Sequence, residues 1–316
     1  MKQLVLHHYP NSPFAEKVRL ILGYKKLRWT SVHIPTVMPK PDVVALTGGY
    51  RKTPILQMGA DIYCDTALIA DVLEAIAPSP TLYPEGSAAA SRTLAQWADS
   101  TLFWTAIPYT LQPAGFAHMF SGATPEVIKA FSEDRNAFRA NIPRMRGPEA
   151  RAAFSRYLER LEEMLGNQAF ILGAQASIAD FSFYHCLWFV FRGGPTAQIF
   201  EPFRRIEAWR ERIRAFGHGF HDELDSGAAV ALAHAAAPMA SAGMTDDTHG
   251  IELGEKVVIA ATDTGVEPIE GYLYAATRER ISITREDPRA GRVAVHFPRL
   301  GFELRRADNL HSGGRP

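Results

Sequence analysis

Four short stretches hold residues whose types and spacing carry information. The first is "YPNSPFAEKVRLIL", Tyr9 to Leu22, where Ser12 and Pro13 stand between a strand-like run and a helix-like one. Pro13 suits the first position of a helix, because an N–H there has no partner to lose. Ser12 is then the N-cap, its oxygen accepting an N–H of the first turn. A helix start also favours negative charge through its free N–H groups and its dipole. A thiolate set there has its pKa lowered. Bringing a free thiol down from about 8.5 by two units stabilises the thiolate by ~2.7 kcal/mol, and a hydrogen bond from Ser12 would supply part of that. No cysteine lies in this turn, so the sulfur must arrive on a ligand. Capping alone is the plainer reading of a lone Ser-Pro pair.

The second stretch is "YRKTPIL", Tyr50 to Leu56. A proline that opens a strand cannot donate to the ladder, which leaves the backbone of Thr53 open to an extended ligand. The Thr53–Pro54 bond is a candidate cis peptide, the alternative being an ordinary trans edge proline. The third is "CDTALIADVLE", with Asp65 and Thr66 at a helix start. Together they could clasp an amino-acid head group, Asp65 taking the ammonium and the hydroxyl and N–H of Thr66 the carboxylate. Asp-Thr is also a common N-cap. The fourth, "SIADFSFYHCL", is a folding signal, because Asp180 can reach back to the amide of Ser177 as in a capping box.

The elements that must position these residues follow from periodicity. "QLVLHH" and "RWTSVHI" read as strands, and "TPILQMGADIYC" reads as a hairpin with Gly59 in its turn. "PFAEKVRLILGYK", "PDVVALTGG" and "DTALIADVLEAIA" read as helices. The order is βαβ, a short helix, then ββα, over residues 1–80. Residues 86–228 carry helical periodicity, punctuated by Pro108, Pro125, Pro148 and Pro195. Residues 231–249 are rich in small residues and read as a linker. From 250 to 310 period-2 alternation gives about five strands, a small β-barrel-like module; the tail "HSGGRP" reads as disordered.

Composition narrows the function classes. A length of 316 residues suggests about two domains with room for a small third. Lys+Arg and Asp+Glu both number 34, and residues 250–316 hold ten of each, so no basic stripe points to nucleic acid. No apolar run reaches the ~20 residues of a membrane span, and the apolar run in "MKQLVLHHYP" is too short for a signal peptide. The two isolated cysteines, Cys64 and Cys186, form no metal-spaced cluster and fit a reducing cytoplasm.

Taken in order, "SPFAEKVRLIL", "KTPIL", "DTALIADVLE" and "SIADFSF" resemble the cytosolic glutathione transferase family, in its serine-type Tau, Phi and Zeta-like classes, over residues 1 to about 225. The resemblance implies a thioredoxin-like first domain that binds glutathione and a helical second domain that shapes an acceptor site. It gives Ser12 the activating role. Lys52, Thr53 and Pro54 would line the cysteinyl and glycyl parts, Asp65 and Thr66 would hold the γ-glutamyl head, and Lys40 would reach the glycyl carboxylate. Tyr9 is a second hydroxyl in the turn. Phe14, Trp104, Tyr109, Phe116 and Trp188, with Tyr9, would line the acceptor pocket. The implied activity is attack of the glutathione thiolate on an apolar electrophile, by conjugation, isomerisation or dehalogenation. The family usually forms homodimers. A regulatory protein that kept the scaffold, with the β module as a docking element, is the alternative. The pattern departs from the family in Asp65, which replaces Glu or Gln, and in Thr66, which replaces Ser.

Overall fold

The computed structural model describes residues 3–139, 142, 145–246 and 248–307. The expected residues 308–310 of the β module and the tail lie outside the described residues.

The first unit runs β1 (Val5–His8), α1 (Pro13–Tyr24), β2 (Arg28–His33), α2 (Pro41–Thr47), β3 (Ile55–Met58), β4 (Asp61–Cys64) and α3 (Thr66–Ile76). Strand β1 pairs parallel with β2 and antiparallel with β3, and β3 with β4. Gly59 turns the β3–β4 hairpin at φ 68°, a conformation that favours glycine. Neighbouring residues on these strands point to opposite faces. Leu6, Leu56 and Tyr63 join one core with α1, α3 and the helical domain. Val5, Ile55 and Ile62 join a second core on the other face.

The helical domain comprises α4 (Ala88–Trp97), a π-turn at Ala98–Leu102, α5 (Phe103–Thr110), α6 (Pro113–Met119), α7 (Pro125–Arg139), α8 (Gly147–Leu165), α9 (Ile178–Phe191), a 3₁₀ turn at Gly194–Phe200 and α10 (Arg204–Arg214). Helix α9 is buried on almost every side. It starts where Asp180 accepts the Ser177 N–H at 2.8 Å.

The chain then returns to the first sheet. Strand β5 (Phe220–Glu223) adds parallel to β2, inside a stretch expected to be wholly helical. Its four residues are all exposed, so no apolar period announced it; the open edge of β2 supplies the reason for the strand. Helix α11 (Ser226–His234) follows, and its Ala229 and Ala233 are buried in the second core. Residues 231–234 of the expected linker are therefore its last turn, because alanine combines helix preference with close approach. Beyond it, Met239 N–H donates to the Asp61 carboxylate at 3.1 Å, and β6 (Gly243–Met244) pairs with Ala275 and Ala276.

The expected C-terminal β region is present as β7 (Lys256–Ala261), β8 (Ile269–Ala276), β9 (Arg280–Asp287), β10 (Gly291–Pro298) and β11 (Phe302–Arg306). Its order is β11-β7-β8-β9-β10. Strands β10 and β11 lie at opposite ends of that order yet are joined by only residues 299–301, so the strip must curl on itself. The rings of Phe297 and Phe302 meet across the joint, 5.3 Å apart. The region is also continuous with the first sheet, because β10 pairs parallel with β4, Ala294 against Asp61. Val257, Ile283, Val295 and Phe297 share the second core with Val5, Val32 and Leu46.

Candidate functional site

The turn after β1 places Ser12 as N-cap of α1, with Pro13 next in the helix. Ser12 is 2% exposed, and its oxygen accepts the Ala15 N–H at 3.2 Å. A serine hydroxyl is one donor and two acceptor positions. The helix occupies an acceptor position and leaves the proton for a partner beyond the helix end. Nearby, the Thr53–Pro54 bond is cis. Thr53 Oγ1 accepts from Lys40 Nζ at 3.3 Å. Lys40 is 4% exposed and has no carboxylate partner among the described residues. Burial lowers its pKa to about 8. Its ammonium stands 5.5 Å from the centre of the Tyr9 ring.

Asp65 begins α3 at φ 77°, which few non-glycine residues adopt. Its carboxylate accepts the Ala67 N–H at 2.8 Å, and burial raises its pKa. Such local strain is common where a ligand is held. Thr66 Oγ1 accepts from Lys17 Nζ at 3.2 Å. Lys17 is fully buried and meets the Asp99 carboxylate at 2.6 Å; the other Asp99 oxygen lies 2.8 Å from His185 Nε2. Burial opposes ionisation of Asp99, but Lys17 and His185 outweigh it and bring the carboxyl down to about 2. Lys17 and Asp99 were not singled out from the sequence. The signal was present: Lys17 lies three residues after Phe14 and four before Ile21, on the apolar stripe of α1.

One cleft of about 1490 Å³ takes in Ser12, Lys52, Thr53, Pro54, Asp65 and Thr66. Tyr9, Phe14, Trp104 and Phe116 line it as well. Lys40 stands behind Thr53. Two residues expected in the acceptor pocket point elsewhere. Tyr109 stacks on Phe154 at 5.3 Å inside the helical core and donates to the Thr196 carbonyl at 3.0 Å. Trp188 faces a separate groove with Leu20 and Phe191, under the guanidinium of Arg192 at 4.9 Å.

Two further parts of the wall were not legible in the sequence. Helix α7 has no buried residue, yet it is tied across the cleft. Asp134 accepts from Met38 N–H at 3.1 Å and pairs with Arg51 at 2.8 Å. Arg135 donates to the Thr36 carbonyl at 2.8 Å and to the Tyr9 hydroxyl at 3.3 Å. The curled β region supplies the other part through Thr264, Leu300 and Phe302. Its Asp263 holds Lys52 at 2.5 Å, Glu267 holds Arg51 at 2.6 Å, and Gly265 N–H donates to the Phe138 carbonyl at 2.9 Å. Among the described residues no group of three His, Cys, Asp or Glu could hold a metal ion. No helix there is long and apolar enough to cross a membrane.

Comparison with known proteins agrees with this fold. The family model for the glutathione S-transferase N-terminal domain matches residues 6–81, and that for the C-terminal domain matches residues 125–212. Among solved structures, a GST-like protein from Pseudomonas syringae is 42% identical, covers 97% of this chain and 100% of its own, and superposes with a TM-score of 0.82. That coverage leaves no room for the C-terminal β region to be missing from the likeness. A glutathione S-transferase from Rhodospirillum rubrum F11 is 19% identical over 67% of this chain and 88% of its own, with a TM-score of 0.52. The β-etherase LigF from Sphingobium sp. strain SYK-6 is 20% identical over 67% and 95%, with a TM-score of 0.51. These two share the fold alone. No curated protein matches the chain.

Proposed function

The chain belongs to the glutathione S-transferase family, and from that premise we propose that it is a serine-type transferase that joins the glutathione sulfur to an electrophilic carbon. One observation carries the reading: the Ser12 hydroxyl, which caps α1 as an acceptor and donates to no group among the described residues, opens into the same cleft as cis Pro54 and the strained Asp65–Thr66 helix start. The donor set suits the tripeptide. Ser12 and the N–H groups of α1 favour the thiolate over the thiol. Thr66, with Lys17 behind it, suits the α-carboxylate of the γ-glutamyl group, and Asp65 its ammonium. Lys40, a buried cation bonded to the Thr53 hydroxyl and paired directly with no carboxylate among the described residues, suits the glycyl carboxylate better than Lys52, which Asp263 already holds.

Glutathione supplies the nucleophile. A C–S bond forms as the electron pair passes to a leaving group or into an activated double bond, and isomerisation or dehalogenation can use the same thiolate. Phe14, Trp104 and Phe116 line an apolar side of the cleft fit for the electrophile. The reading carries with it a homodimer in a reducing cytoplasm, in keeping with two free, buried thiols. Two measurements test it: calorimetric titration with glutathione and mass analysis of product from a nitro-activated aryl halide. Heat of binding and a thioether product are expected. No heat at millimolar glutathione would overturn the reading and leave a scaffold kept for regulation.

A further inference from the structure

The chamber above Trp104 carries an electrostatic signature that an apolar electrophile alone does not explain. Nine of the side chains lining the cleft are cationic and five are acidic, although the whole chain balances at 34 of each. Seven of the nine have a carboxylate partner, such as Lys17 with Asp99, Lys52 with Asp263 and Arg92 with Asp71. The two without one among the described residues are Arg139 and Arg278. Arg278 is exposed at the rim. Arg139 is half-buried at the end of α7, and its Nε is shut off from solvent with no hydrogen-bond partner among the described residues. The shielded Nε stays out of a ligand's reach, but the charge of the guanidinium has no counter-ion among the described residues, and an anion entering the cleft would pair with the part of the group that faces it.

The surroundings of Arg139 define what that anion would be attached to. Phe131, Arg135 and Arg139 recur at fourfold spacing and share the cleft-facing side of α7. Phe131 meets Phe120 at 5.1 Å, and Phe120 meets Phe116 at 4.6 Å, which makes an aromatic wall. Eight residues of helix separate Phe131 from Arg139, about 12 Å along the axis. The reach of the guanidinium shortens that to the length of one or two aromatic rings. Between them Arg135 is already committed to Asp134 and to the Thr36 carbonyl. We infer that the acceptor is an aromatic compound bearing an anionic group, its ring on the Phe116–Phe120–Phe131 wall and its carboxylate or sulfonate on Arg139. This names the class of electrophile for the transferase reading and rests on it for the chemistry, but the binding stands apart from the reaction.

A matched pair of fluorescent probes separates the two: anilinonaphthalene sulfonate and its sulfonate-free parent, phenylnaphthylamine, titrated without glutathione. Arg139→Gln is expected to weaken the sulfonate about tenfold to hundredfold, the range for a hydrogen bond to a charged group. The neutral probe should bind unchanged. Arg139→Lys should keep part of the difference, and Arg278→Gln should leave both probes alone. Phe116→Ala should weaken both alike. The inference is overturned if Arg139→Gln leaves both probes unchanged, or weakens both equally. It is also overturned if Arg278→Gln takes the effect instead, or if Phe116→Ala moves neither. Failure of conjugation with probe discrimination intact would sink the transferase reading and leave the anion site standing.

Discussion

Removing the hydroxyl of Ser12 tests the centre of the proposed chemistry. In Ser12→Ala two interactions go at once. The cap on Ala15 N–H is lost, worth about 1 kcal/mol of stability. The hydrogen bond to a bound thiolate is lost too, worth about 1.5–3 kcal/mol for a charged acceptor. At 1.36 kcal/mol per unit, the second term is a rise of about one to two units in the thiolate pKa. The N-terminus of α1 still contributes, so the rise stops short of the free-thiol value. If the native site holds the thiolate near 6.5, the ionised fraction at pH 7 falls from about three quarters to about a quarter or less. The assay is the ultraviolet absorbance of enzyme-bound thiolate against pH. Ser12→Gly separates the two roles, because glycine caps nearly as well as serine. Both variants should raise the pKa together, and only the alanine should lower the melting temperature appreciably. An unchanged pKa in both, with glutathione still bound, would refute the role of Ser12. A rise in the alanine variant alone would assign the effect to helix position.

Other outcomes follow from buried charges. Lys40→Met should weaken glutathione about tenfold or more, while leaving a glycyl-amide analogue unaffected. Burial lowers the Lys40 pKa to about 8 from 10.5, so between those values the unfolded chain binds more protons than the folded one. The free protein should therefore gain stability as pH rises through that window, and glutathione should lose affinity; denaturant titrations and calorimetry at pH 7.5 and about 9.5 check both. Asp180 accepts from Ile171 N–H, Ser177 N–H, Ser177 Oγ and Trp209 Nε1 at 2.8 to 3.0 Å. Asp180→Ala leaves those donors buried and unpaired, and should cost about 3–5 kcal/mol in urea unfolding. A loss under 1 kcal/mol would mean that water or a neighbour replaces the carboxylate.

Local signals made the first unit legible. Ser12-Pro13, Thr53-Pro54 and Asp65-Thr66 each act within a turn of chain, so residue type and spacing sufficed to place helix starts and the strand opening. What stayed hidden is non-local. The directions of Tyr109 and Trp188 could not be told, because helices buried on most sides have no outward face for periodicity to mark. Strand β5 has no buried residue, and helix α7 is held by Asp134, Arg135 and Phe138 through partners far along the chain. The pairing of β10 with β4 joins residues whose alternation is the same wherever the strand is placed. Lys17 alone gave a local hint, a charge on an apolar stripe.

That pairing also bears on how the protein is made. Both flanks of the first sheet are finished by chain that leaves the ribosome late: β2 by Phe220–Glu223 and β4 by Gly291–Pro298. Until then a nascent polypeptide carries two bare backbone edges, the kind that seek strands from other molecules. Closing them spans most of the sequence, and such distant contacts form slowly. Biosynthesis of this molecule thus has an interval of vulnerability set by translation time, during which holding chaperones would matter more than for a domain that seals its own margins.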